Sequence, residues 1–224
     1  MGMASTDYEP GRPTALDRDA TAPPPAATET ATFGMGCFWE PDARFGAMPG
    51  VVRTRVGYAG GSEPDPSYYS LGDHTEVVQI EYDPAKVEYE ELLDVFWANH
   101  TPFSAPHKRQ YRGVVLAHGE GQREAATASK AALADRTGKT VQTAIETLSG
   151  FTLAEAYHQK YELRSTPVLG DELEDIYGPS LVDSTVAARL NGFVAGHGDS
   201  DQREALLADV ELPPAALSEL ERRL

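Results

Sequence analysis

Cys37 is the residue of this sequence best suited to chemistry. It is the single cysteine among 224 residues, and it stands in the run Gly34-Met35-Gly36-Cys37-Phe38-Trp39. A short strand and a glycine turn are predicted before it, and a helix after it. The free N–H groups and the dipole at a helix start favour an anion, so we expect a stabilised thiolate. With Phe38 and Trp39 as an apolar wall, the pattern indicates a nucleophile beside a small apolar pocket.

The residues alone leave a second interpretation of Cys37 open, and they exclude several kinds of site. A lone cysteine is also common as a small buried hydrophobe. One cysteine cannot form an internal disulfide or a four-cysteine zinc site. Gly34 and Gly36 do not begin a dinucleotide-binding fingerprint, because Trp39 occupies the position of its third glycine. Without a His-x-x-x-His pair or a carboxylate cluster, we expect neither a metal nor a bound cofactor.

The charge balance limits the partners of the chain. Asp and Glu number 35 and Lys and Arg 19, for a formal net charge of −16. Because phosphate contacts need a basic face, we expect no binding to nucleic acid or to an anionic membrane. Neither an apolar run of about 18 residues nor a secretory signal is present, so we expect a cytoplasmic location. We also expect a monomer. The acidic composition leaves adaptation to high salt and ordinary solubility as equal alternatives.

The elements that must position Cys37 alternate between strands and helices. Helices are predicted directly after Cys37, with Pro41 in the first turn, and later in the chain at residues 89–100, 121–137 and, as a short stretch, 154–163. Strands are predicted at residues 31–36, 51–58, 76–82, 111–117 and 141–148. This order predicts an α+β fold: a two-layer sandwich with a mixed sheet and a ferredoxin-like core.

Composition divides the chain into three parts. Residues 1–30 are rich in Ala, Thr, Pro and Asp and are predicted to form a disordered leader. Residues 31–168 carry the alternating elements and form the predicted domain. Residues 169–224 are an acidic and helical C-terminal extension, with a break at Gly196-His197-Gly198-Asp199.

Several short motifs, in order, resemble those of the A-type peptide methionine sulfoxide reductases. The resemblance begins at Gly36-Cys37-Phe38-Trp39 and covers roughly residues 32–164. The further matching stretches are Gly50-Val51-Val52, Val56-Gly57-Tyr58-Ala59-Gly60-Gly61, Pro66-Ser67-Tyr68, Asp73-His74-Thr75-Glu76, Phe96-Trp97-x-x-His100, Gln110-Tyr111-Arg112 and Ala154-Glu155-x-Tyr157-His158-Gln159-x-Tyr161.

The resemblance implies a thiol-dependent reductase of the S epimer of methionine sulfoxide, in proteins or peptides and as the free amino acid. Cys37 would attack the sulfoxide sulfur and become a sulfenic acid, and Glu76 would supply the proton. The hydroxyls of Tyr68 and Tyr111 would hold the oxygen, although the neighbouring Tyr69 leaves a one-residue shift open. Phe38 and Trp39 would hold the S-methyl group, and the substrate-binding set is completed by Gly36, His74 and His158.

The strand pattern supports Glu76 as the acid independently. In a regular strand, Glu76 shares a face with Val78, Ile80 and Tyr82. If that face is buried, loss of solvation raises the carboxyl pKa and keeps the group protonated near neutrality. The alternative is an edge carboxylate in water.

The chain departs from the family pattern in two ways. Pro106 and Thr101 stand where many members have Asp, which alters the predicted rim of the site. No second cysteine can resolve a sulfenic acid, so an external thiol must do so, either thioredoxin or a low-molecular-weight thiol. Two alternatives to a reductase remain open from the sequence: a module that binds the sulfoxide without reducing it, and a thiol peroxidase or redox-sensing protein.

Overall fold

The computed structural model describes residues 13–223, which form an α+β domain followed by helices. The elements, in chain order, are α1 (Ala15–Ala20), β1 (Glu29–Met35), α2 (Trp39–Gly46), β2 (Val51–Ala59), β3 (Thr75–Tyr82), α3 (Tyr89–Ala98), β4 (Gly113–Ala117), α4 (Glu120–Thr137), β5 (Ala144–Thr147), β6 (Phe151–Leu153), α5 (Tyr161–Arg164), α6 (Pro167–Tyr177), α7 (Thr185–Val194), α8 (Ser200–Asp209) and α9 (Pro214–Arg223).

The six strands form one mixed sheet in the order β5-β4-β1-β3-β2-β6. β1 is antiparallel to both of its neighbours, with Phe33 opposite Val78 of β3 and Val115 of β4. β4 and β5 are parallel. The inner order β4-β1-β3-β2, with α2 and α3 as its crossovers, confirms the predicted ferredoxin-like core. The end of β1, and with it Cys37, therefore lies in the middle of the sheet.

Apolar side chains of the central strands explain why this sheet forms. Phe33 and Ile80 are fully buried and pack with Phe45 of α2 and Phe96 of α3 in one core cluster. The Phe33 and Phe96 rings lie 4.9 Å apart. β3 is buried on both faces over most of its length, so its alternating pattern does not leave a solvent-exposed face.

The predicted boundaries differ from the structure at three places near the site. The fourth strand begins at Gly113, and Tyr111 lies in a 3-10 turn (Arg109–Tyr111) before it. The predicted helix at 154–163 is instead a 3-10 turn (Ala156–His158) and the short α5. β6 was not predicted. It has three residues and forms through its pairing with β2, which sequence periodicity does not report.

The leader differs from the predicted disorder wherever the structure describes it. Residues 1–12 lie outside the described residues, but α1 begins with a capping box between Thr14 and Asp17. The Asp19 carboxylate accepts hydrogen bonds from the N–H groups of Thr185 (2.9 Å) and Val186 (3.1 Å) at the start of α7. These contacts stabilise a segment that has too few apolar residues to pack alone.

The C-terminal helices have their own hydrophobic core, as expected for a helical extension, and that core also supports α2. Arg189 of α7 donates hydrogen bonds to the carbonyls of Gly46 (2.6 Å), Met48 and Val51 (2.7 Å), which closes the end of α2. α7 lies so close to α2 that a Cβ at Gly46 would clash with the Ala188 carbonyl. Among residues 13–223, no helix has the length and apolar content needed to cross a membrane.

Candidate active site

Cys37 lies in the turn between β1 and α2. Gly36 precedes it with φ of +103°, a conformation that favours glycine, and a side chain there would meet no neighbouring atom. The turn leaves Cys37 exposed and places the first helical residue, Trp39, two positions later. The backbone N–H of Trp39 acts on the sulfur and lowers the pKa of the thiol. The sequence prediction of an accessible thiol at a helix start is therefore confirmed.

The predicted stabilisation of the thiolate is wrong for this structure. Partial burial of the Cys37 thiol raises its pKa above the ordinary value, and the Trp39 N–H only partly opposes this. The negative charges of Glu76 and Glu162 raise the pKa further. The backbone N–H of Phe38, the residue before Trp39, is unavailable to the sulfur because it donates to the Glu76 carboxylate at 3.2 Å. At the start of α2, the Phe38 N–H thus binds the Glu76 carboxylate, and the Trp39 N–H acts on the Cys37 thiol.

Glu76 is the buried carboxyl group beside Cys37. It is 1% exposed, and its two oxygens accept hydrogen bonds from the Phe38 N–H (3.2 Å) and from the Gln110 side-chain amide (2.6 Å). Burial raises the pKa of Glu76, although both hydrogen bonds favour the charged form. The expectation of a buried carboxyl with a raised pKa is borne out. Gln110 belongs to the motif Gln110-Tyr111-Arg112, but nothing in the sequence pairs it with Glu76.

The two predicted catalytic tyrosines, Tyr68 and Tyr111, reach the site from separate loops. Tyr111 is 37% exposed, and its pKa is raised by burial and then by the nearby groups of Glu76, Tyr68 and Cys37. All four predicted catalytic side chains are therefore close enough to interact electrostatically. Tyr68 is half-buried with its ring 4.8 Å from that of His158, whereas Tyr69 is 90% exposed. The ring that faces the pocket is thus that of Tyr68.

Aromatic rings form the apolar wall predicted beside the sulfur. Phe38 is 1% exposed, with its ring 5.1 Å from that of His158. The Trp39 indole stacks on Tyr161 at 3.7 Å and donates from Nε1 to His158 Nδ1 at 3.2 Å. Burial lowers the pKa of His158 below its ordinary value, which favours the neutral ring that accepts this bond. Tyr161 was a motif residue without a predicted role, and its partner Trp39 lies far away in the chain.

His74 and the loop before it are held together by hydrogen bonds. The His74 ring is buried, and its Nε2–H donates to the Glu63 carbonyl at 2.8 Å. Asp73 accepts from the N–H groups of Ser62 and Glu63, and these bonds lower its pKa to about 2. His74 therefore helps to fix the loop that carries Tyr68, and its predicted contact with substrate stays a prediction.

Arg109 connects this loop to the altered segment at residues 101–110. Its guanidinium donates to the carbonyls of Asp73 (2.5 Å) and Gly60 (2.8 Å). Thr101 and Pro106, which replace the acidic residues of many relatives, are both exposed. His100 bonds to the Phe96 carbonyl and the Thr143 hydroxyl, so both of its ring nitrogens have partners within the fold.

A buried ion pair supports the pocket walls from behind. The Lys160 ammonium is fully buried and lies 3.0 Å from Asp42 of α2, 2.6 Å from the Thr54 carbonyl and 3.1 Å from the Thr54 hydroxyl. Asn191 of α7 donates to the second Asp42 oxygen at 3.3 Å. Lys160 lies between His158 and Tyr161 in sequence. This cluster therefore connects the segment that carries these two rings to β2 and to the C-terminal helices.

The described residues contain no group of three or more His, Cys, Asp or Glu side chains that could hold a metal ion. The arrangement instead combines one exposed thiol, one buried carboxyl group, two phenols and an apolar wall. These groups can attack an electrophilic sulfur, protonate a departing oxygen and enclose a methyl group.

Comparison with known proteins agrees with this chemistry. Residues 29–171 match the family model described as peptide methionine sulfoxide reductase. A Drosophila melanogaster protein named peptide methionine sulfoxide reductase is 45% identical over 188 residues, which cover 83% of this chain and 76% of that protein. This coverage exceeds what residues 1–171 could supply, so the match reaches into the C-terminal extension.

Solved structures agree as well. Methionine sulfoxide reductase A of Corynebacterium diphtheriae superposes with a TM-score of 0.56 at 32% identity, covering 63% of this chain and 76% of its own. The reduced form of Mxr1 from Saccharomyces cerevisiae superposes with a TM-score of 0.59 at 29% identity, covering 64% and 88%.

Proposed function

Because this chain belongs to the peptide methionine sulfoxide reductase family, we propose that it reduces the S epimer of methionine sulfoxide with Cys37 as the nucleophile. The Cys37 sulfur attacks the sulfoxide sulfur and forms a sulfur–sulfur bond, while the sulfur–oxygen bond breaks. Transfer of the oxygen to the Cys37 sulfur then breaks the sulfur–sulfur bond and releases methionine. Two electrons pass from Cys37 to the methionine sulfur, and the oxygen ends on Cys37 as a sulfenic acid. The overall change is one thiol and one sulfoxide converted to one sulfenic acid and one thioether.

The proton for the oxygen comes from Glu76. Its raised pKa supports this role, because the carboxyl must be protonated before it can donate. Burial is the main reason for the raised pKa of Cys37, and a protonated Glu76 removes one of the two negative charges that raise it further. Protonation of the acid therefore also favours the thiolate. The phenols of Tyr68 and Tyr111 bind the oxygen, and Phe38 with Trp39 receives the methyl group.

Regeneration uses a thiol from outside the chain, because Cys37 is its only cysteine. The first external thiol attacks the sulfenic acid, which releases water and leaves a mixed disulfide. A second thiol then releases Cys37 and forms the oxidised donor. We propose thioredoxin or a low-molecular-weight thiol as the donor. The cytoplasmic location and the monomeric state stay predictions from the sequence.

The observation that carries the proposal is a buried, doubly hydrogen-bonded carboxyl group within electrostatic range of the only thiol. In a single-turnover assay with resolved epimers and dithiothreitol, Glu76→Gln should slow methionine formation by about a hundredfold, because the side chain can no longer donate a proton. Glu162→Gln is the matched control, since Glu162 also acts on the Cys37 charge but has no proposed catalytic role.

Equal rates for the Glu76→Gln variant and the wild-type protein would disprove the acid role. Consumption of hydrogen peroxide faster than reduction of the sulfoxide would instead favour the thiol peroxidase alternative. A sulfoxide-binding module without turnover is disfavoured by family membership, and detection of methionine in the wild-type assay would exclude it.

A further inference from the structure

Three exposed tyrosines lie next to residues of the Cys37 site. Tyr69 is 90% exposed, Tyr157 50% and Tyr111 37%, which places them among the most exposed large hydrophobic side chains of residues 13–223. The Tyr69 ring meets the Tyr68 ring edge-on at 5.4 Å, and the Tyr157 ring lies 4.1 Å from His158. Both of those partners face the pocket, so the exposed rings continue its apolar wall outward.

The exposed rings contribute little to the stability of the fold. Tyr69 and Tyr157 are 90% and 50% exposed, whereas the pocket residue Phe38 is 1% exposed. Aromatic surface that stays in water and is gathered at one place is typical of a contact site, because rings gain free energy when a partner covers them. The Tyr68 ring lies 4.8 Å from that of His158, so the two exposed rings are linked through the rings of these two pocket residues.

We propose that Tyr69 and Tyr157 bind the residues that flank methionine sulfoxide in an extended peptide, and that the protein prefers apolar residues at these flanks. This inference rests on the proposed function. When an oxidised methionine enters the pocket, the peptide chain continues on both sides of it. The residues on these two sides must therefore cross the surrounding rings. The Glu155 carboxylate acts on the Tyr157 phenol, so acidic residues at the flanks are disfavoured by charge.

The experiment compares three substrates with dithiothreitol as the reductant: free methionine sulfoxide and two short peptides that carry it between Leu residues or between Asp residues. The wild-type protein should show its highest kcat/KM with the Leu-flanked peptide. In the Tyr69→Ser/Tyr157→Ser variant, kcat/KM for that peptide should fall about tenfold, the effect of two ordinary aromatic contacts. The value for free methionine sulfoxide should stay within about twofold, because the pocket itself is unchanged.

Two control variants show whether ring contact is responsible. The Tyr69→Phe/Tyr157→Phe variant keeps the rings and should retain the wild-type preference. Leu16→Ser changes a side chain of α1 that is 50% exposed, like Tyr157, and should have no effect on any substrate. Loss of activity in this control as well would mean that the effect is unspecific, and would overturn the assignment to the two rings.

Other outcomes would also overturn the proposal. An unchanged kcat/KM for the Leu-flanked peptide means that the rings do not bind it, and an equal loss with free methionine sulfoxide means that the pocket itself was damaged. A loss that occurs only when thioredoxin replaces dithiothreitol assigns the two rings to the reductant. A wild-type protein that reduces none of the substrates refutes the proposed function itself, and this inference with it.

Discussion

Replacement of Lys160 by Met should destabilise this protein strongly, because it leaves a buried charge without its counterion. Lys160 and Asp42 are both fully buried, and their charged groups lie 3.0 Å apart. Removing one partner of such a pair usually costs about 3–5 kcal/mol. Asp42 would keep hydrogen bonds from the Thr54 hydroxyl (2.5 Å), the backbone N–H of residue 160 (3.0 Å) and Asn191 (3.3 Å). We therefore expect the lower end, about 3 kcal/mol.

The free energy of unfolding would be measured by guanidinium titration with tryptophan fluorescence. The matched control is Lys86→Met, since Lys86 pairs with Asp83 at 3.3 Å but leaves 65% of its side chain exposed. Such a surface pair should contribute less than about 1 kcal/mol. The Asp42→Asn/Lys160→Met variant has no unpaired charge and should be more stable than Lys160→Met alone.

A Lys160→Met variant that loses no more stability than Lys86→Met would refute this prediction. A double variant less stable than Lys160→Met alone would refute it as well, because the unpaired Asp42 charge would then not be the source of the loss.

Two further predictions concern the turn that carries the thiol. Alkylation of Cys37 by iodoacetamide should follow a pH profile with its midpoint above that of free cysteine. Glu76→Gln should move this midpoint down, because a negative charge that raises the pKa of Cys37 is removed. A midpoint that stays or rises in the variant would contradict this. Gly36→Ala should lower the free energy of unfolding in urea by about 1–3 kcal/mol, because the residue has a φ of +103°. Gly119→Ala should lower it clearly less, since Gly119 has a φ of −170° and equally open surroundings. Equal losses would show that φ is not the cause.

The main strands and helices were predictable because their patterns are local. The predicted strand at 76–82 is observed as Thr75–Tyr82, and the predicted helix at 89–100 as Tyr89–Ala98. Their apolar residues follow the period of the element that they form. The elements that the sequence did not predict, α1 and β6, have six and three residues and depend on partners elsewhere in the chain. α1 is stabilised by its contacts with α7, and β6 by its pairing with β2.

The sequence by itself determined which groups are available for chemistry: one thiol, a carboxyl group on a predicted strand, and two tyrosines within recognisable motifs. Their environment was decided by the tertiary structure. The pKa of Cys37 is raised because folding partly buries the thiol and then because it places Glu76 and Glu162 nearby, while the Phe38 N–H at the helix start donates to Glu76. Charges act through space, so a group's proton affinity depends on neighbours that its own segment of sequence does not contain.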